Sequence, residues 1–166
     1  MKKAFFETSI LFEPFQKRSH FGGKSYSQAA LAILKHVSPY VKKFKPVVST
    51  SVLTECECKL NDILEAKRYK KNVKSIREIH REFINGSELV PITKESIGMT
   101  HQILEEDGRR NLKVMDVLNF SCAICSGCSN FFFIDKEMRT NLILNRIASE
   151  SDMAMSPFDI PKNIDR

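Results

Sequence analysis

Short apolar runs of strand length recur along this 166-residue chain, separated by stretches of helical periodicity, and this alternation constrains its fold more than any other feature. The runs are residues 3 to 11, 46 to 50 (PVVST), 88 to 92 (ELVPI) and 130 to 134 (NFFFI). The first is apolar and bounded without clean alternation, as expected of a parallel strand buried on both faces. The third contains Pro91, which cannot donate to a ladder, so it belongs at a sheet edge or ends there. The fourth is the most hydrophobic and is expected in the interior. Between them, helical spacing marks residues 27 to 43, with Pro39 as a break, then Leu53 to Leu64, then Val73 to Phe83 ending at Asn85-Gly86. Further helices start near Thr93, a plausible N-cap, and at Asp116, and a last one spans 137 to 149. The pattern predicts a three-layer α/β/α domain with a central, mainly parallel sheet of four to five strands over residues 1 to 150. Residues 151 to 166 carry two prolines and little periodicity, and read as a tail that is mobile or wraps a partner.

Four acidic residues stand at the ends of these runs or on helices beginning just after them: Glu7, Glu55, Asp116 and Asp135. In open α/β sheets, reactive groups gather beyond the carboxyl ends of the parallel strands, so these side chains can meet although they are distant in sequence. Four carboxylates in one crevice call for a cation. Hard divalent ions such as Mg²⁺ or Mn²⁺ take oxygen ligands and activate water for phosphodiester cleavage.

The formal net charge of +6 includes those carboxylates, so the rest of the surface is more basic still. Basic residues cluster at Lys17, Arg18, His20 and Lys24, at Lys42, Lys43 and Lys45, and from Lys67 to Lys74. Taken singly, each reads as a solvated face; together with an acidic centre they suit a polyanion. No apolar run approaches the roughly 18 to 20 residues of a membrane span. The N-terminus is basic and then apolar, but Glu7 and Glu13 break the apolar part and no small-residue cleavage site follows, so the reading is a cytoplasmic chain rather than a secreted one.

Residue by residue, the acids and their neighbours resemble the motifs of the PIN-domain nuclease family. Glu7-Thr8-Ser9-Ile10-Leu11 is similar to that family's Asp-Thr-Asn/Ser-x-Leu start, with Glu in place of Asp. Ser51-Val52-Leu53-Thr54-Glu55 matches Ser-x-Leu-x-Glu on the helix after the second strand. Asp116-Val117-Leu118-Asn119-Phe120, on to Gly127, resembles Asp-Ala-Leu-His-x-Ala-Ala before a Gly, and Phe133-Ile134-Asp135-Lys136 resembles an apolar strand ending in Thr-x-Asp and a basic residue. The likeness covers residues 3 to 148 and implies an endoribonuclease acting on single-stranded RNA with Mg²⁺ or Mn²⁺. It further implies the toxin of a VapC-type toxin–antitoxin pair, held inactive by a small antitoxin and homodimeric, with apolar residues between Ser25 and Phe44 contributing to the antitoxin groove.

On this reading Glu7, Glu55, Asp116 and Asp135 form the catalytic set. Asp116 and Asp135 ligate the metal directly or through water, Glu7 is a third ligand, and Glu55 either holds a metal-bound water or acts as general base. Thr8 and Ser9 support Glu7 by hydrogen bonding, or else satisfy local backbone. Lys17, Arg18, His20 and Lys24 form an RNA-binding loop. Two departures from the pattern favour a second hypothesis, a catalytically weakened domain that binds RNA or protein. Glu7 is one methylene longer than Asp, moving its carboxylate by about 1.5 Å, and Phe133 replaces a hydroxyl residue.

The cysteines supply a third hypothesis. Cys122, Cys125 and Cys128 form CxxCxxC, and Cys56 and Cys58 add two more, which could ligate zinc or an iron–sulfur cluster. On a helix, however, that spacing draws one drifting stripe, where free Cys serves as a small hydrophobe. Gly23-Lys24-Ser25 resembles the end of a phosphate-binding loop, but Arg18 stands where its first Gly is required. His20, His36, His80 and His101 read as surface residues, and Phe5, Phe6, Phe131, Phe132 and Phe133 as strand core.

Overall fold

In the computed structural model, residues 1–12, 31, 34, 41–65, 73–108 and 112–157 are described. Five strands, β1 (Lys2–Phe6), β2 (Phe44–Ser49), β3 (Glu88–Val90), β4 (Asn130–Phe133) and β5 (Ala154–Pro157), form one sheet in the order β3-β2-β1-β4-β5, every pairing parallel. The helices among the described residues are α1 (Thr8–Phe12), α2 (Thr50–Glu65), α3 (Val73–Asn85), α4 (Lys94–Asp107), α5 (Val114–Cys125), α6 (Lys136–Thr140) and α7 (Leu142–Glu150).

Phenylalanine decides where the layers lie. Neighbouring residues of a strand point to opposite faces, yet Ala4, Phe5, Phe6, Phe131, Phe132 and Phe133 are all buried, so both faces of the sheet are covered. Phe6 stacks on its register partner Phe132 at 5.0 Å and meets Phe83 of α3 edge-on at 5.3 Å. On the other face Phe5 stacks on Phe131 at 5.5 Å, and Phe131 meets Phe120 of α5 edge-on at 5.7 Å. Each such ring pair adds about 0.5–1.5 kcal/mol beyond its buried area. The expected α/β/α sandwich with a parallel five-stranded sheet is therefore present, with β3 at one edge and β4 flanked on both sides.

Local signals held where a short-range bond decides the outcome. Thr93 caps α4, its hydroxyl accepting the Ser96 N–H at 3.2 Å while Ser96 Oγ accepts the Thr93 N–H at 3.0 Å. Gly127 takes the left-handed φ of 66° that turns the chain out of α5 into β4.

Four expectations are corrected. The first strand stops at Phe6 rather than running to residue 11: the Glu7 carboxylate accepts the Ser9 N–H at 2.8 Å and Ile10 N–H bonds Glu7 O at 3.1 Å, which turns the chain into α1. The helix expected over 137 to 149 is two, because Asn141 breaks the run and caps α7 by accepting from Ile143 N and Leu144 N. The tail contributes β5, since Met153 is buried and Ala154 to Pro157 find backbone partners along β4 that composition does not advertise. His80 is buried, 4% exposed, because Ile76, His80 and Phe83 share the inward stripe of α3; its Nε2 bonds Leu11 O at 2.9 Å.

Lys17, Arg18, His20, Lys24, His36 and most of residues 25 to 44 lie outside the described residues. No helix among the described residues is long and apolar enough to cross a membrane.

Candidate active site at the carboxyl edge of the sheet

The chain runs from β1 to β2 and β3 on one side, then crosses to β4 and β5 on the other. Such a switch of direction opens a crevice beyond the carboxyl end of the central strand. Glu7 directly follows β1 and stays bound to the sheet through its N–H to Phe132 O at 3.0 Å. Asp135 lies two residues beyond β4, Glu55 in the second turn of α2 after β2, and Asp116 in the first turn of α5.

Glu7 is 4% exposed. Its Oε2 accepts both from Ser9 N, at 2.8 Å, and from Ser9 Oγ, and that hydroxyl also accepts the Ile134 N–H at 3.2 Å. Ser9 thus links the end of β1 to the chain leaving β4. Burial pushes the Glu7 carboxyl above its ordinary pKa; the Ser9 bonds and nearby Lys59 resist, and Glu55 adds to the rise.

Thr8 supports a different acid from the one expected. Its Oγ1 donates to Glu55 Oε2 at 2.6 Å, and Asn119 Nδ2 donates to the same oxygen at 3.3 Å. Asn119 is fully buried, and its Oδ1 accepts from Ser51 Oγ at 2.6 Å and Ser49 Oγ at 3.0 Å. This polar cluster orients Glu55 from both the β2 end and α5. Asn119, Ser49 and Lys113 were not singled out from the sequence; the available signal for Asn119 was its place three residues after Asp116, on the same face of α5.

Asp116 does not cap its helix, whose N-cap is Lys113 without a side-chain capping bond. Its pKa is pushed up to about 7, first by burial and then by the negative charges of Glu7, Asp135 and Glu55, against the opposing Lys113 ammonium. Asp116 therefore feels the other three acids, although all four come from separate segments. Asp135 behaves differently: burial opposes its ionisation, but bonds from the Glu137 and Met138 N–H groups to Oδ1, at 2.8 and 3.2 Å, and the Lys113 charge outweigh it and hold its carboxyl below the ordinary value. Lys113 Nζ lies 3.5 Å from Asp135 Oδ2.

Chemically this donor set fits a hard divalent cation. All four groups present oxygen, and two of them, Glu7 and Asp116, are held above their ordinary pKa by burial first and by neighbouring carboxylates after it. Among the described residues no three His, Cys, Asp or Glu side chains stand together as a ready metal group. Phe133 is buried against Phe131 at 5.6 Å; the hydroxyl at the β4 end comes from Ser9 instead.

Three of the cysteines serve packing. Cys56, Cys122 and Cys128 are buried, and burial raises all three thiols, Cys56 and Cys128 to about 12. Thiols so disfavoured as thiolates are poor nucleophiles. Cys58 and Cys125 are exposed.

No family model and no curated protein matches this sequence. Solved structures do. VapBC2 from Rickettsia felis, bound to a DNA fragment from its promoter, aligns over 94% of this chain and 98% of its own with a TM-score of 0.58 at 16% identity. FitAcB from Neisseria gonorrhoeae aligns over 92% and 95% with a TM-score of 0.57 at 11% identity. A toxin–antitoxin complex from Klebsiella pneumoniae aligns over 85% and 94% with a TM-score of 0.51 at 17% identity. At such identities the likeness is one of fold, and the chain has the PIN-like α/β fold that its motifs led us to expect.

Proposed function

We propose that this chain is a metal-dependent endoribonuclease of the VapC type, cleaving single-stranded RNA. The observation that carries this reading is the placement of Glu7, Glu55, Asp116 and Asp135 at the carboxyl edge of the sheet, where Thr8 and Asn119 bond Glu55 and Ser9 ties Glu7 to the exit of β4 that leads to Asp135. Asp116, Asp135 and Glu7 would hold Mg²⁺ or Mn²⁺. The bound ion would supply Lewis acidity and lower the pKa of a coordinated water.

The chain's own residues do the rest. Thr8 and Asn119 fix the Glu55 carboxylate, which takes the proton of the attacking water as its oxygen bonds to phosphorus. The phosphorus–oxygen bond to the leaving sugar then breaks, and that oxygen takes up a proton. Ser9 anchors Glu7 and the β4 exit, keeping Glu7 and Asp135 in register. Lys17, Arg18, His20 and Lys24 are assigned to the RNA backbone.

Toxin–antitoxin assemblies among the fold neighbours support a small antitoxin as partner, and a homodimer is the expected state. Co-expression with the adjacent reading frame is expected to yield a complex without nuclease activity. Free protein is expected to cleave an unstructured RNA with Mn²⁺ and to lose cleavage in EDTA. Absence of cleavage by free protein at any Mn²⁺ concentration would overturn the nuclease reading. One observation favours the alternative of a weakened, binding-only domain: Glu7 is buried and turned onto Ser9. The same assay decides between them.

A further inference from the structure

Among the described residues, Lys113 is paired with Asp135 and its charge acts on Asp116. Its Nζ lies 3.5 Å from Asp135 Oδ2, and the charges of Asp116 and Asp135, in that order, hold its ammonium above the ordinary lysine value. The two oxygens of Asp135 have separate tasks. Oδ1 caps α6 through Glu137 N and Met138 N, so Oδ2 is the oxygen left for a cation, and it faces Lys113.

Among the described residues, no second side-chain bond ties Lys113 there. Its side chain is 75% exposed, and as the N-cap residue of α5 it makes no side-chain capping bond. A four-carbon stem with a solvated head moves at small cost. Two positive charges on one carboxylate edge repel, so an ammonium at this place and a divalent ion on Asp116 and Asp135 compete.

We infer that Lys113 is a resident counter-cation, occupying the Asp116–Asp135 edge in the metal-free protein and released by the metal to bind a phosphate of the substrate. This rests on the metal-dependent reading above. It makes Lys113 a substrate-binding residue with two opposed effects: it weakens metal binding and strengthens substrate binding. A lysine that only braced the fold would show neither.

The test is a Mn²⁺ titration of the full chain followed by electron paramagnetic resonance of the free ion, run on wild type, Lys113→Met and Lys113→Arg. Lys113→Met is expected to bind Mn²⁺ roughly five-fold more tightly, the size of a partly exposed ion pair. At saturating Mn²⁺ the same variant is expected to lose kcat/KM on an unstructured RNA, chiefly through KM, and the salt dependence of KM is expected to flatten by about 0.7 of a unit of slope. Lys113→Arg, keeping the charge, should stay near wild type in both measurements. Wild type and Lys113→Met binding Mn²⁺ equally, or the variant binding it more weakly, overturns the Lys113 inference while leaving the metal reading intact. Failure of wild type to bind Mn²⁺ at all overturns the metal reading and this inference with it. The thermal midpoint in EDTA shows separately whether either variant folds as wild type does.

Discussion

Thr8 Oγ1 donates to Glu55 Oε2 across 2.6 Å, joining the first residue of α1 to the second turn of α2. The residue that follows the strand-end acid thus positions the acid on the next helix, while Ser9, one further on, holds Glu7 itself. Adjacent side chains serve two carboxylates because the chain turns helical at this point and swings them in different directions.

Thr8→Val keeps the shape and removes the donor. Thr8 is fully buried, so the loss of a hydrogen bond to a carboxylate is expected to cost about 1.5–3 kcal/mol in urea unfolding. Cleavage is expected to fall by more than stability alone explains, since Glu55 retains only the Asn119 bond. A variant with wild-type kcat would remove Glu55 orientation from the mechanism.

Asn119→Ala removes the amide oxygen that accepts from the Ser49 and Ser51 hydroxyls, leaving them their mutual 2.6 Å bond, and removes one donor to Glu55. The expected loss is about 2–4 kcal/mol. Asn119→Asp should be worse at pH 8 than at pH 5, because the new carboxyl faces Glu55 and is neutral only at acid pH. Equal denaturation midpoints at the two pH values for Asn119→Asp, after subtracting the wild-type change, would show that the two groups do not interact.

Asp116 and His80 shape the pH dependence of the metal-free protein in opposite senses, and the buried Glu7, also raised, adds to the Asp116 effect. Asp116 has a folded pKa of about 7, above the unfolded value near 3.9. Its proton is held more tightly when folded, so stability falls as pH rises from about 4 to 7. His80 has a folded pKa lowered by burial, so the unfolded chain takes up its proton first and stability falls as pH drops below about 6.5. Thermal melts in EDTA are expected to show Asp116→Asn reducing the loss toward neutral pH and raising the midpoint at pH 8, while cleavage falls by orders of magnitude. Asp116→Asn with an unaltered pH profile would contradict the crowding of the four acids.

Glu7→Asp shortens the buried ligand by one methylene. A carboxylate at that length still reaches the N–H two residues on, as Asp135 does with Glu137 N. Cleavage with Mn²⁺ is expected to be kept or raised, and Glu7→Gln to abolish it. If both variants and wild type are equally inactive while all bind RNA, the binding-only alternative takes over.

Added Mn²⁺ is expected to raise the wild-type thermal midpoint more than that of Asp116→Asn or Asp135→Asn, since a ligand stabilises only the state that binds it. Asp135→Asn retains an oxygen for the α6 cap, so its apo midpoint should move little. Equal Mn²⁺ shifts in all three proteins would place the ion elsewhere.

The sheet was legible because parallel strands buried on both faces must be apolar at consecutive positions, and Phe5-Phe6 and Phe131-Phe132-Phe133 satisfy that without reference to any distant residue. The Thr93 cap and the edge position of the Pro91 run were legible for the same reason: each is settled by bonds within a few residues. The order of the four acids along the strands was visible too, and with it the expectation of a shared crevice. What the sequence could not show are contacts that exist only once the layers close. The side of α3 on which His80 falls depends on where the sheet lies, and β5 exists because β4 has an open edge beside it. Asn119 becomes a hub only when α5 is brought against Ser49, Ser51 and Glu55. Lys113 faces Asp135 only because the chain crosses β1 before forming β4. Local hydrogen bonds and burial periodicity are written in neighbouring residues, whereas the pairing of charges across segments is decided by topology.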